Sequence, residues 1–275
     1  MMKFSVLMSV YKNDNYIFFE KALKSVTTEQ TYKPHQVVII KDGWVDTAID
    51  DVINDVAKHN PEIEFSVTQN ENNLGLAASL NKGIDLCKYE WIARMDADDI
   101  AVPERFEKQC RYILENGNVD IVGGMISEFL ESPNDIVSER RLETIHNRIV
   151  GYSKHRTPMN HMTVFYKKEK LIAAGKYDET YGKLEDYKLW IDLIICGAIF
   201  ANIDEILVYV RIGNGFYSRR SNKREIADWD NLQYYMKKND LINLFEVICN
   251  RMAIRLFVFL PAWAKKILYV FLRGK

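Results

Sequence analysis

Cysteine is scarce in this sequence, and the few cysteines are scattered. The four thiols along the 275 residues are Cys87, Cys110, Cys196 and Cys249. Because no CxxC pair occurs, the pattern predicts neither a zinc site nor a disulfide framework. The first apolar run, residues 4–10, is typical of a buried strand and not of a signal peptide. We therefore expect a protein that stays in a reducing cytoplasm.

Long apolar runs and an excess of charge are also absent. No stretch of about 18 uncharged apolar residues occurs, and a net charge of −1 argues against nucleic acid as a partner. The charge is uneven, however, because six cations and no acidic residue follow Glu246. Residues 251–275 mix these cations with aromatic and aliphatic side chains, a composition typical of segments that bind a membrane surface. A helix pair packed on the rest of the chain is the alternative.

The first 125 residues alternate strand-type and helix-type patterns. The predicted strands are residues 4–10, 36–40, 63–67, 90–95 and 120–126. Amphipathic helices are predicted between them, the first capped by Asn13 or Asp14 with Ile17 facing inward. This alternation predicts an α/β fold with a mainly parallel sheet and helices on both faces. The second half is less regular: a strand is predicted near 162–166, but residues 132–160 receive no assignment.

An acidic cluster follows the predicted strand 90–95. In an extended segment, side chains at positions i and i+2 point to the same side, so Asp96 and Asp98 would present two carboxylates to one spot. Oxygen ligands suit Mn²⁺ or Mg²⁺, and such a cation would neutralise charge on a departing diphosphate. The alternative is a solvated turn or a cap for the next helix.

Polar side chains also stand at the ends of the first two strands. Ligands of parallel α/β sheets bind at the carboxyl ends of the strands, where Ser9 and Tyr11 flank the first strand and Asp42 ends the second. A tyrosine ring can stack on a base, and an aspartate can accept a hydrogen bond from a base N–H. Taken singly, Tyr11 is typical of packing and Asp42-Gly43 of a turn; together they indicate a nucleotide site.

Ordered motifs over residues 3–215 resemble those of family 2 glycosyltransferases of the GT-A fold. The matching segments are SVLMSVYKND, VVIIKDG, NENNLGLAASLNKGI, WIARMDADDIAVPERFEKQ, NHMTVFYKKEKLIAAGKYDE and LEDYKLWIDLIICG. Two motifs depart from the family pattern: the usual Pro-Val-Tyr-Asn reads Ser9-Val10-Tyr11-Lys12, and the usual paired aspartates after the second strand read Lys41-Asp42. The resemblance implies a GT-A domain over 1–220, with a nucleotide-binding half (1–125) and an acceptor half (126–220), then a helical tail over 221–275.

The resemblance also implies roles for single residues. Those expected to bind the nucleotide-sugar are Ser9, Tyr11, Asp42, Arg94 and Asp96. Asp96 and Asp98 would hold Mn²⁺ or Mg²⁺. Asp186 would be the general base, taking the proton of an acceptor hydroxyl that attacks the anomeric carbon with inversion; capping of a helix by the Glu185-Asp186 pair is the alternative. The candidates for binding the diphosphate or the acceptor are Glu185, His161, Arg219 and Arg220. The alternatives are a purely structural role for His161 and a solvated basic loop at Arg219-Arg220.

The implied function is transfer of galactose or glucose from a UDP-sugar to a lipid-linked acceptor, such as GlcNAc- or GalNAc-diphosphoundecaprenol, in O-antigen or capsule biosynthesis. The enzyme would be peripheral on the inner face of the plasma membrane. No Gln-x-x-Arg-Trp signature occurs, which favours a single addition over polymerisation. The alternatives are a sugar nucleotidyltransferase, which would carry a glycine-rich loop where Tyr11-Lys12-Asn13-Asp14 stands, and a non-catalytic binding module.

Overall fold

The computed structural model describes residues 2–212 and 223–260. Its strands are β1 (Phe4–Tyr11), β2 (Gln36–Asp42), β3 (Glu64–Gln69), β4 (Trp91–Met95), β5 (Ile100–Ala101), β6 (Ile121–Phe129), β7 (Ile136–Arg140), β8 (Phe165–Lys167) and β9 (Phe200–Arg211). Its α-helices are α1 (Tyr16–Ser25), α2 (Thr47–His59), α3 (Leu76–Leu86), α4 (Arg105–Glu115), α5 (His146–Ser153), α6 (Lys168–Ala173), α7 (Glu185–Ile195), α8 (Lys223–Lys238) and α9 (Leu244–Phe259).

The strands form one sheet that is mainly parallel, as the sequence predicts. Its order is β3-β2-β1-β4-β8-β6-β9-β5, with β7 paired to β6. Strands β3, β2, β1 and β4 are parallel neighbours, and β8 lies antiparallel between β4 and β6. In register, Tyr11 lies beside Asp42 and Met8 beside Met95. The carboxyl ends of β1, β2 and β4 therefore meet at one edge.

Helices cover both faces of the sheet, because successive strand side chains point to opposite sides. In β1, Val6, Met8 and Val10 pack with helices α1, α2 and α4, whereas Leu7 packs on the other face with α3 and α7. Helix α3 approaches β1 closely, since a Cβ at Gly83 would lie 2.2 Å from Leu7 Cδ1. The predicted helices on both faces are confirmed.

The start of the first helix differs from the prediction. Asn15, and not Asn13 or Asp14, is the N-cap of α1, and its side-chain oxygen accepts the N–H groups of Ile17 and Phe18. The Asp14 carboxylate instead accepts the Tyr11 N–H at 2.9 Å, closing a turn between strand and helix. Ile17, in the first turn of the helix, is exposed and not inward, whereas Leu23 further along is buried.

Two assignments in the second half also change. Residues 161–163 form a 3₁₀ turn, so the strand predicted near 162–166 begins only at Phe165. The unassigned stretch 132–160 contains β7 and α5. Most residues of β7 are exposed or half-exposed at the margin of the sheet, which removes the apolar alternation that identifies a strand in sequence.

A third core attaches the last two helices to α7. Its members are Tyr187, Ile191, Leu232, Met236, Ile242 and Val247. Beside it, Lys188 donates to both oxygens of Asp192 at 2.7 and 2.6 Å, and the Lys188 ammonium lies 4.1 Å from the ring centre of Tyr235 on α8. In the part of the chain described here, no helix has both the length and the apolar character needed to cross a bilayer.

The buried pair of α7 yields a stability prediction. Lys188→Met leaves Asp192 buried without its cation and should lower the free energy of unfolding by about 3 kcal/mol in urea denaturation, because a lone buried charge is costly. The double variant Lys188→Met/Asp192→Leu should regain most of that loss. Arg111→Met, which breaks an exposed i,i+4 pair with Glu107, is the control and should cost at most about 0.5 kcal/mol. An equal effect of all three variants would contradict the interpretation.

Candidate active site

Acidic side chains crowd together where β1 and β4 end. Asp14 follows β1, while Asp96, Asp98 and Asp99 lie in the turn after β4. Burial, followed by the charges of Asp98 and Asp96, raises the pKa of Asp14 to about 7. Partial desolvation by neighbouring atoms and the charge of Asp96 raise the pKa of Asp98 to about 6, although the residue itself is exposed. The parallel pairing of β1 with β4 therefore produces a site of concentrated negative charge.

The residues present fit a hard divalent cation. Asp96 and Asp98 would offer oxygen ligands, and a bound cation would relieve their mutual repulsion. Within residues 2–212 and 223–260, no group of three or more histidine, cysteine or carboxylate side chains forms a ready ligand set. Mg²⁺ and Mn²⁺ sites that use one or two carboxylates take their other ligands from water and substrate phosphates. The site therefore suits a cation that arrives with a diphosphate.

Arg94 lies beneath this acidic turn with unused hydrogen-bonding capacity. Its side chain is 2% exposed, and its Nη2 donates to Asp96 Oδ1. The Arg94 Nε and Nη1 atoms are buried without a hydrogen-bond partner, as is Glu185 Oε2. Buried donors and acceptors are rarely left unpaired, so these atoms indicate a place where ligand oxygens or water bind.

The Glu185-Asp186 pair faces the same site from the first turn of α7. Burial and the neighbouring Asp186 raise the pKa of Glu185 to about 7, while Arg94 lowers it and Asp96 raises it further. Asp186 Oδ1 accepts the N–H of Tyr187 at 2.6 Å. The structure thus brings together Arg94, Asp96 and this pair, which lie some 90 residues apart in sequence.

His161 lies in the core behind the site. It is 9% exposed, its Nε2 shares a hydrogen bond with the Tyr177 hydroxyl at 2.7 Å, and its ring packs edge-on against Trp190. Burial and the nearby Arg94 hold its pKa well below the ordinary value, so the ring is neutral. These contacts favour the structural role over the predicted contact with diphosphate or acceptor.

The carboxylate of Asp42 is held by four hydrogen bonds. Its Oδ1 accepts from Asn70 Nδ2 at 3.0 Å and from the Leu74 N–H at 2.8 Å. Its Oδ2 accepts from Asn73 Nδ2 and from the Gly75 N–H, both at 2.9 Å. Four donors occupy the carboxylate, so Asp42 organises the 70–75 loop. These contacts favour a scaffolding role, and the predicted contact of Asp42 with the base stays a prediction.

The other predicted nucleotide residues remain at the rim. Ser9 is half-buried and Tyr11 is 40% exposed, so the Tyr11 ring is open to stacking. Gly43 follows Asp42 with φ +81°, and a Cβ there would lie 2.8 Å from the Asn73 nitrogen. Only glycine permits both this backbone conformation and this close approach.

Arg211 is among the site residues that sequence reasoning missed. The Arg211 guanidinium carbon lies 3.9 Å from the ring centre of Phe18 and 4.6 Å from that of Phe129. The backbone N–H of Arg211 donates to Asp99 Oδ1 at 2.9 Å, and its Nε donates to the Asp98 carbonyl at 3.3 Å. Arg211 therefore fastens the acidic turn to β9. Arg219 and Arg220, also predicted site residues, lie outside the described residues.

An α/β sheet of this order, with acidic residues at the carboxyl edge and a second acidic pair opposite, defines the GT-A class of nucleotide-sugar transferases. The overall structure is similar to that of the mannosyltransferase PcManGT from Pyrobaculum calidifontis in complex with GDP-Man and Mn²⁺, with a TM-score of 0.64 and 15% identity over 100% of this chain and 82% of that chain. The model of glycosyl transferase family 2 matches residues 5–172. The chain belongs to glycosyl transferase family 2, which confirms the resemblance.

Two bacterial relatives are similar over most of their length. The UDP-Gal:alpha-D-GlcNAc-diphosphoundecaprenol beta-1,3-galactosyltransferase of Escherichia coli is 33% identical over 93% of this chain and 90% of its own. The amylovoran biosynthesis glycosyltransferase AmsE of Erwinia amylovora is 35% identical over 79% of each chain.

The four hydrogen bonds of Asp42 yield a prediction that separates its two roles. Asp42→Asn places an amide group against donors and should lower the free energy of unfolding by about 2 kcal/mol, because buried donors lose their acceptor. Urea denaturation measures this loss, with the exposed Asp51→Asn as the isosteric control. Unchanged stability together with lost UDP affinity would support the direct base contact and contradict the scaffolding role.

The raised pKa of Glu185 yields a pH prediction. Its pKa in the native state is about 7, above the ordinary 4.5. Between pH 4.5 and about pH 7, Glu185 therefore keeps its proton in the native state but loses it in the unfolded chain. The free energy of unfolding should therefore fall as pH rises through this window, and Glu185→Gln should remove about 2 kcal/mol of that fall. Urea denaturation from about pH 4 to about pH 8 tests this, with the exposed Glu169→Gln as control. Parallel profiles for wild type and Glu185→Gln would refute the assignment.

Proposed function

We propose that the protein is an inverting hexosyltransferase that moves galactose or glucose from a UDP-sugar to a lipid-linked acceptor. The acceptor would be a sugar on diphosphoundecaprenol, such as GlcNAc or GalNAc, in O-antigen or capsule biosynthesis. The observation that carries the proposal is the meeting of Asp96, Asp98, Arg94 and the Glu185-Asp186 pair at one sheet edge. The UDP-Gal:alpha-D-GlcNAc-diphosphoundecaprenol galactosyltransferase activity of the Escherichia coli relative supports the choice of donor and acceptor.

The donor side of the site suits a nucleoside diphosphate sugar. Asp96 and Asp98 would hold Mn²⁺ or Mg²⁺, and the bound cation supplies charge neutralisation for the departing diphosphate. The unpaired Arg94 Nε and Nη1 atoms are suited to phosphate or sugar oxygens, because guanidinium forks bind such oxygens in pairs. The exposed ring of Tyr11 is suited to stacking on the base.

The acceptor side requires a base. Asp186 would take the proton from the acceptor hydroxyl as its oxygen attacks the anomeric carbon and the bond to the diphosphate breaks. Its place at the N-terminus of α7 favours a carboxylate there. Glu185, with a pKa of about 7, exists partly in the protonated form near neutral pH and in that form can donate a hydrogen bond to a sugar oxygen.

The alternatives are less well supported. A nucleotidyltransferase would need donors for a triphosphate after β1, yet that turn is closed by Asp14, which accepts the Tyr11 N–H. A binding module without catalysis would have no need for crowded carboxylates, whose raised pKa values mark a cost in the absence of a ligand.

A transfer assay tests the proposal. A panel of UDP-hexoses is incubated with GlcNAc- and GalNAc-diphosphate lipids, with Mn²⁺ and after removal of bound metal. Product should form only with metal, and Asp98→Ala and Asp186→Asn should each lower kcat by about 100-fold or more. Asp51→Asn, on the exposed face of α2, should retain full activity. Full-rate transfer by metal-free protein would end the metal assignment, and an active Asp186→Asn variant would end the base assignment.

A further inference from the structure

Helix α9 carries a row of exposed apolar side chains. Those with the largest exposure, between 49% and 74%, are Leu244, Phe245, Ile248, Met252 and Leu256. Their spacing places them within about 120° of the helix circumference. Scattered exposed apolar residues are ordinary on protein surfaces, but a contiguous row of this kind marks an interaction site. We call this row the α9 face.

The α9 face is exposed although its helix is firmly attached. On the opposite side, Asn250 Nδ2 donates to Gln233 Oε1 on α8 at 2.7 Å and to the Lys154 carbonyl at 2.8 Å. Val247 is buried in the third core. A capping box formed by Asn243 and Glu246 fixes the start of the helix. The helix therefore buries one side against the protein and holds the α9 face outward.

We propose that the α9 face docks on an anionic lipid bilayer. Its helix ends at Phe259 and leads directly into residues 260–275, which contain four cations, no acidic residue and further aromatic and aliphatic side chains. The cations are Lys265, Lys266, Arg273 and Lys275. Apolar side chains that enter the headgroup boundary, together with nearby cations, form the combination that binds anionic membranes.

Charge favours a bilayer over a second copy of the chain. Arg251 and Arg255 are already paired with Asp230 at 3.0 and 2.5 Å, so the cations of residues 260–275 carry the attraction to lipid. A symmetric dimer through the α9 face would add a second copy of the same cation-only sequence and no acidic sequence to balance it. An anionic surface turns the same charges into attraction.

Docking at this face has a consequence for the active site. Helix α9 packs on α8, and both join α7 through the third core. Because Asp186 lies at the start of α7, a bilayer bound to the α9 face keeps a constant distance from the proposed base. If the proposed function holds, the lipid-linked acceptor would be presented at this same bilayer surface. The bilayer contact itself does not depend on the proposed transfer reaction.

Co-sedimentation of the full chain with vesicles tests the proposal. Phosphatidylcholine vesicles with and without phosphatidylglycerol are compared for wild type and for the triple variant Phe245→Gln/Met252→Gln/Leu256→Gln. We expect binding to the anionic vesicles and a fall of about tenfold or more in the partition coefficient of the triple variant. The control is Leu86→Gln/Leu114→Gln/Ile172→Gln, which alters three exposed apolar residues on other helices and should bind as wild type does.

Three further readouts complete the test. Circular dichroism and thermal melting show whether both triple variants are folded. Transfer to a water-soluble acceptor should be the same in both variants, so that a failed transfer reaction is distinguishable from failed docking. Equal vesicle binding by the two triple variants would overturn the proposal. So would equal binding of wild type to neutral and anionic vesicles, or a dimer in light scattering that only the α9 variant loses.

Discussion

Repulsion among carboxylates at one sheet edge is the constraint around which this site is built. Asp14, Asp96, Asp98 and Asp99 converge because β1 and β4 are parallel neighbours, and the protein compensates them only in part. Arg94 pairs with Asp96 from below, and Arg211 holds Asp99 through its backbone N–H. The remaining imbalance would be relieved by a bound cation, and the proposed use of a metal-bound diphosphate rests on this property of the site.

Two kinds of polar side chain occur around the site: those with hydrogen-bonding atoms left for a ligand, and those that hold the surrounding structure in place. Asp42 makes its hydrogen bonds to the 70–75 loop, and His161 shares a hydrogen bond with Tyr177. Both residues belong to sequence motifs that are typical of functional sites. Arg94 and Glu185, by contrast, keep buried polar atoms without partners. Buried polar atoms without a hydrogen-bond partner are a better indication of ligand contact here than residue type alone. The Asp42 carboxylate and the His161 Nε2 are already used in hydrogen bonds within the protein.

Much of the architecture was predictable from sequence, since runs such as Gln36–Asp42 are apolar and β-branched on both faces, as buried parallel strands require. The positions of Asp96 and Asp98 after β4 and of Glu185-Asp186 at the start of α7 followed from the same patterns. The partners of Asp42 did not, because they lie about 30 residues away in a loop whose course depends on tertiary contacts. Strand β7 was not predicted because its exposed side chains show no apolar alternation. The approach of Asp14 to Asp98 was not predicted because it depends on the order of the strands in the sheet.

The buried Lys188–Asp192 pair, with Tyr235 of α8 against the ammonium, also limits how the chain can be recombined. Lys188 and Asp192 are on α7, and Tyr235 is on α8. A chimera joined between these helices would therefore place the charged pair of one parent against an α8 from the other parent. A junction upstream of α7 is therefore more easily tolerated, because it transfers all three groups together. Helices α7, α8 and α9 should accordingly be exchanged as one piece.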